Sequence, residues 1–106
     1  MQHDAPVIII AGTASTRPDQ RDAAVTASKA MCEASRAEAG CIEYRYAFSL
    51  DDPNRIDVFE RWTDQTAVDE HFAQPHTAEF LTAMAGFVDG APDITKYEVT
   101  DSGPLL

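Results

Sequence analysis

Two histidines five residues apart, His71 and His76 in H-F-A-Q-P-H, are the side chains of this sequence best suited to move a proton near neutral pH. They fall in a stretch from Arg55 to Phe80 that also holds the only tryptophan, Trp62, and one acid, Glu60, among the apolar residues Ile56 and Val58 of a single strand face. His71, between Val68 and Phe72 on a helix, reads as a general base over a pocket, or as an imidazole bonded to a backbone carbonyl at the helix edge. His76 follows Pro75 in the first turn of a second helix, where free N–H groups and the positive dipole end favour an anion or a neutral imidazole. It could equally serve only as a cap. Trp62 could stack on a flat substrate ring, Glu60 could supply a carboxylate, and Tyr44, Phe72, Phe80 and Met84 could form the walls. The competing reading places Trp62 in the core, pairs Glu60 with Arg45 or Arg61, and leaves Tyr44 and Tyr46 as wall and not as acids.

A spacing of five residues across a proline break is not the i, i+4 geometry of a helical metal pair, even with Glu60 as a third ligand, so no metal site is expected. Cys32 and Cys41 show no zinc-like spacing and read as two reduced thiols.

The elements that must position these residues follow from periodicity. Residues 6–15, P-V-I-I-I-A-G-T-A-S, are β-branched and apolar enough for a buried strand, with Gly12 marking a bulge or a close approach. A helix starts in T-R-P-D-Q-R-D, runs to about Ala39 and stops at Gly40, with Ala24, Ala27, Met31 and Ala34 as its buried face. In Cys41 to Leu50, Ile42, Tyr44, Tyr46, Phe48 and Leu50 alternate with Cys41, Glu43, Arg45, Ala47 and Ser49. The turn D-D-P-N then returns the chain antiparallel through Arg55 to Trp62. Asp64 caps the helix carrying His71, Pro75 interrupts it, and Gly90-Ala91-Pro92 ends the second helix before a last strand, Asp93 to Thr100.

Strand, helix, strand, strand, helix pair, strand is the split βαβ order of an α+β, ferredoxin-like fold with a four-stranded antiparallel sheet. The 106 residues are expected to form one domain, with a core at about 7–100 and a tail at 101–106. Both helical crossovers lie on one sheet face. The other face, expected to carry Tyr or Phe residues of the central hairpin, calls for a second copy of the chain and thus a homodimer. Eighteen acids against eight bases give a net charge of −10, which disfavours nucleic acid and anionic membrane surfaces as partners. The start has no basic region and no long apolar run, which points to a cytoplasmic protein.

The phrases A-E-A-G-C-I-E-Y-R-Y, D-D-P-N-R-I-D-V-F-E-R-W and A-V-D-E-H-F-A-Q-P-H, with the closing K-Y-E-V strand, resemble the antibiotic biosynthesis monooxygenase domain. That domain is a branch of the dimeric α+β barrel proteins. The resemblance implies a pocket between sheet and helices in each subunit and, in the oxygenase branch, use of molecular oxygen without metal, flavin or haem. The haem-degrading pattern wants an asparagine at Gly12, a tryptophan at His71 and a histidine near Leu81, and none is present. The anthrone pattern matches at Trp62, but its asparagine, tyrosine and arginine fall near Val58, Val68 and Leu81. The paired histidines match quinol-monooxygenase-like members and isomerase-like members. The expectation is therefore a cofactor-free monooxygenase of a quinol, phenol or polycyclic aromatic compound, with His71 and His76 catalytic. The alternatives are an isomerase of a small hydroxyketone or phosphorylated signalling sugar, and a non-catalytic dimer that binds a hydrophobic metabolite.

Overall fold

A computed structural model describes residues 5–106; the first four residues, part of the start assessed above for an export signal, lie outside the description. Four strands, β1 (Val7–Ser15), β2 (Cys41–Phe48), β3 (Arg55–Trp62) and β4 (Asp93–Val99), form one antiparallel sheet in the order β2-β3-β1-β4. Helix α1 (Arg21–Arg36) connects β1 to β2, while α2 (Gln65–Phe72) and α3 (Pro75–Phe87) connect β3 to β4. This is the ferredoxin-like order expected from the sequence. Among the described residues, no helix is long and apolar enough to cross a membrane.

The sheet sorts its side chains by parity. Ile8, Ile10, Ala14, Ile56, Val58, Glu60, Trp62 and Tyr44 are buried beneath the helices, whereas the other parity, including Ile9, Asp57, Phe59 and Arg61, is only partly covered. Expected aromatic residues on the open face reduce to Phe59, which carries the Arg45 guanidinium 4.6 Å above its ring, and to Tyr97 of β4. The aromatic side chains of β2 lie on the helix side. A register shift between Cys41 and Glu43 takes Ile42 out of the expected alternation and leaves it exposed. Leu50 lies past the strand end in the turn, fully exposed.

Gly12 takes the second of its two expected roles, and Gly40 departs from its own. β1 continues unbroken through Gly12, and a side chain there would strike the carbonyl oxygen of Asp93 on β4. The site is thus a close approach of two backbones. α1 ends at Arg36, not near Ala39, and the only described glycine with positive φ is Gly90. Gly40 is instead required by packing: its Cβ would lie 2.3 Å from that of Ala67 on α2. The buried stripe of α1 is also turned from the expected one, with Ser28, Cys32 and Ser35 joining Ala24 and Met31 while Ala27 and Ala34 are partly covered.

Candidate active site

Asp64 caps α2 by accepting a hydrogen bond from the backbone N–H of Ala67 at 2.8 Å, which sets where the helix starts and so which way His71 points. α2 stops at Phe72, and Pro75 opens α3 at a position where a missing N–H costs nothing. The break lets the two histidines turn toward each other. Both bond one carboxylate oxygen, Glu38 Oε2, at 2.6 Å from His71 Nδ1 and 3.0 Å from His76 Nε2. His71 is 2 % exposed, and its ring packs 4.6 Å from that of Trp62 and 5.5 Å from that of Tyr44. The Thr77 hydroxyl donates to the His71 carbonyl at 2.6 Å and fixes the turn between the helices.

Glu38 is a member of the site that residue type and spacing do not mark. It sits in the turn after α1, held by its N–H to the Ser35 carbonyl at 3.0 Å and by the Cys41 N–H to its own carbonyl at 3.1 Å. One signal was available, since an acid at the C-terminal end of a helix opposes the dipole and calls for a local partner. Sequence spacing also does not keep the two histidines apart. A break between helices brings together side chains that a continuous helix at that spacing would not, and the carboxylate comes from Glu38 instead of Glu60.

A second cluster lies deeper. Glu60, 7 % exposed, accepts a 3.0 Å bond from the indole N–H of Trp62, which is itself fully buried. Tyr44 stands directly across the β2–β3 ladder from Glu60, and its hydroxyl meets that of Tyr46 at 2.7 Å. Burial pushes the Glu60 carboxyl up to about 7 against the opposing hydrogen bond from Trp62 and the pull of the neighbouring Tyr44 hydroxyl, and the charge of Glu38 adds to the rise. Burial likewise pushes both tyrosines well above the ordinary phenol value, so they stay protonated donors. The Cys32 and Cys41 thiols are free and are raised by burial too, which makes them poor nucleophiles at neutral pH.

The chain of polar groups Tyr46, Tyr44, Glu60 ends at a cleft of about 540 Å³ between α1 and the β2–β3 hairpin. Val25, Cys32, Phe48 and Ile56 give it apolar walls, Tyr46 lies in its lining, and Lys29, Glu33 and Arg36 also line it. Ser28 lines it as well, with a buried hydroxyl that has no protein partner. None of Glu38, His71 and His76 lines this cleft. His76 and Glu38 line a separate groove of about 410 Å³ with Gly40, Ala67, Glu70 and Gln74.

The remaining wall candidates divide. Phe80 is buried with its ring 5.8 Å from that of Tyr46, and Met84 packs partly buried on the core. Phe72 is 58 % exposed and walls nothing inside. It falls one position after His71, so the helical period that buries the histidine turns Phe72 outward.

Known proteins share this frame. The structure of Rv0793 from Mycobacterium tuberculosis superposes with a TM-score of 0.84 at 30% sequence identity, covering 94% of this chain and 100% of that one. In sequence, the same organism's protein, named "Putative monooxygenase Rv0793", is 39% identical over 72 residues, 68% of this chain and 69% of its own length. The "Uncharacterized protein sll1783" of Synechocystis is 29% identical over 98 residues, 92% of this chain and 67% of its own length. Residues 7–83 match the family described as antibiotic biosynthesis monooxygenase, and with its helices, sheet order and cleft in place the chain belongs to that family.

Proposed function

We propose that the protein is a monooxygenase that oxidises a phenol, quinol or related polycyclic aromatic compound with molecular oxygen, in the cleft between α1 and the hairpin. The observation that carries this reading is the buried cluster of Tyr46, Tyr44 and Glu60 beside the cleft: the two hydroxyls meet at 2.7 Å, and Glu60, a carboxylate that accepts a proton near neutral pH, faces Tyr44 across the ladder. A volume of about 540 Å³ suits a compound of two or three fused rings, and the unpartnered Ser28 hydroxyl offers a bond to a substrate oxygen.

In the reaction, the substrate hydroxyl gives its proton to the Tyr46 oxygen, Tyr46 passes its own to Tyr44, and Tyr44 passes its own to Glu60. The tyrosines end as they began. The substrate anion, now electron-rich, transfers an electron to oxygen, and the two radicals combine at a ring carbon. The peroxide then breaks down so that one oxygen atom stays on the ring and the other leaves as water, with two hydrogens drawn from the substrate. No metal, flavin or haem is needed at the reacting carbon. The apolar walls keep water from the peroxide.

A second reading keeps His71 as the base. It is favoured by the 2.6 Å bond to Glu38, which sets the proton on Nδ1 and leaves Nε2 as the basic nitrogen. The open sheet face, with Phe59 and Tyr97, is the surface we assign to a second copy of the chain in a homodimer, and a cytoplasmic location is part of the same proposal. Oxygen uptake by chelator-treated protein with a panel of reduced naphthoquinols and anthrones tests the reaction. Uptake above the spontaneous rate that falls in Tyr46→Phe and Glu60→Gln supports the first reading, and uptake that falls only in His71→Ala supports the second. The absence of uptake across the panel refutes both.

A further inference from the structure

We propose that Glu38, His71 and His76 form a binding site for a divalent transition-metal ion of the zinc class. The proposal rests on where three separate elements place their donor atoms. Glu38 comes from the turn after α1, His71 from the last turn of α2 and His76 from the first turn of α3. One ligand atom from each lies within 4.8 Å of the others. Two imidazole nitrogens and a carboxylate oxygen are the donor types that suit zinc and its neighbours, with a fourth position left for water.

In this structure the Glu38 carboxylate accepts N–H bonds from both imidazoles at 2.6 and 3.0 Å. An ion enters by replacing those two hydrogens, each imidazole shifting its proton to its other ring nitrogen, so that the same three atoms turn lone pairs to the metal. Bonds to zinc of roughly 2.0–2.2 Å then require only small side-chain rotations. His76, about a quarter exposed, has room to make them. The groove of about 410 Å³ beside His76 and Glu38 gives the ion its entry path and its open position, and Glu70 and Gln74 line that groove. The Thr77 bond to the His71 carbonyl holds one ligand-bearing turn in place before any ion arrives. A net charge of −10 draws cations toward the site.

The site is separate from the cleft that Tyr46 lines and shares His71 only with the second reading, and its test is a binding measurement that needs no turnover. Metal-free protein is titrated with Co²⁺ alone, read by visible absorption, and the bound ion is then displaced with Zn²⁺. The wild type is expected to take up one equivalent with a spectrum of low coordination number. His76→Ala and Glu38→Gln are each expected to weaken binding at least as much as the roughly 10- to 100-fold that follows loss of a supporting outer contact. His3→Ala, which removes the only other imidazole of the sequence, is expected to bind as the wild type does. Thermal unfolding of each metal-free variant shows that it is folded, and His76, partly exposed in the first turn of α3, is replaceable without loss of core. Equal binding by wild type and His76→Ala, abolition of binding in His3→Ala, or no stoichiometric uptake by the wild type would each overturn the site. Failure of the oxygen-uptake panel leaves this result unaffected, and the reverse also holds.

Discussion

Replacing Glu60 by glutamine should remove a pH dependence of folding that this one carboxyl imposes. In the folded chain burial raises the group from 4.5 to about 7, whereas in the unfolded chain it titrates near its ordinary value. Between those two values the native state holds a proton that the unfolded state has released. Stability from this group is therefore fully present below about 4.5 and is lost as pH rises through about 7. At about 1.4 kcal/mol for each tenfold change in proton activity, the loss between pH 5 and pH 8 is about 2 to 3 kcal/mol. Glutamine keeps the volume and the oxygen that accepts from the Trp62 indole, but it has no proton to lose. Urea unfolding of wild type and Glu60→Gln from pH 5 to 9 reads the difference, and taking the difference cancels the titration of the other acids. The two proteins should be about equally stable near pH 5, and the variant should be the more stable at pH 8. Parallel curves would refute the assignment of a raised, buried carboxyl.

Trp62 is the only tryptophan and bonds Glu60 directly, so its fluorescence should titrate with a midpoint near pH 7 in the wild type and stay flat in Glu60→Gln. A flat wild-type profile would show that the carboxyl does not ionise in that range. Gly40→Val should destabilise the fold by about 1 to 3 kcal/mol, because any side chain there collides with Ala67, with the loss read as a lower urea midpoint at unchanged slope.

The fold was legible because its strong signals are local. The alternation of Ile56, Val58, Glu60 and Trp62, the Asp64 cap and Pro75 each act within a few residues, and all appear where the pattern places them. The errors come from contacts distant in sequence. Gly40 looks like a helix stop, yet it is small because Ala67 of α2 passes close by, and at Gly12 only the neighbouring β4 backbone decides between the bulge and the close approach that the sequence leaves open. The bulge at Ile42 and the outward turn of Phe72 shift single residues without disturbing the pattern around them. In the site, the interest of His71, Glu60 and Trp62 was visible from residue type and strand face. Their grouping was not, since Glu38 reaches His71 across 33 positions and the relay through Tyr46 depends on the pairing register of β2 with β3. Residue types announce what chemistry a chain can do, and only the register and the helix break show which residues do it together.

The central claim, that Glu60 takes the substrate's proton through Tyr44 and Tyr46, is tested most directly without oxygen. An aromatic substrate that gives uptake in air is mixed anaerobically with protein across pH 5 to 9, and the fraction of bound anion is read from its absorption. The account predicts anion formation in the wild type at a pH well below that of the free compound, with formation lost in both Glu60→Gln and Tyr46→Phe while the substrate still binds. Anion formation that persists in both variants would contradict the relay.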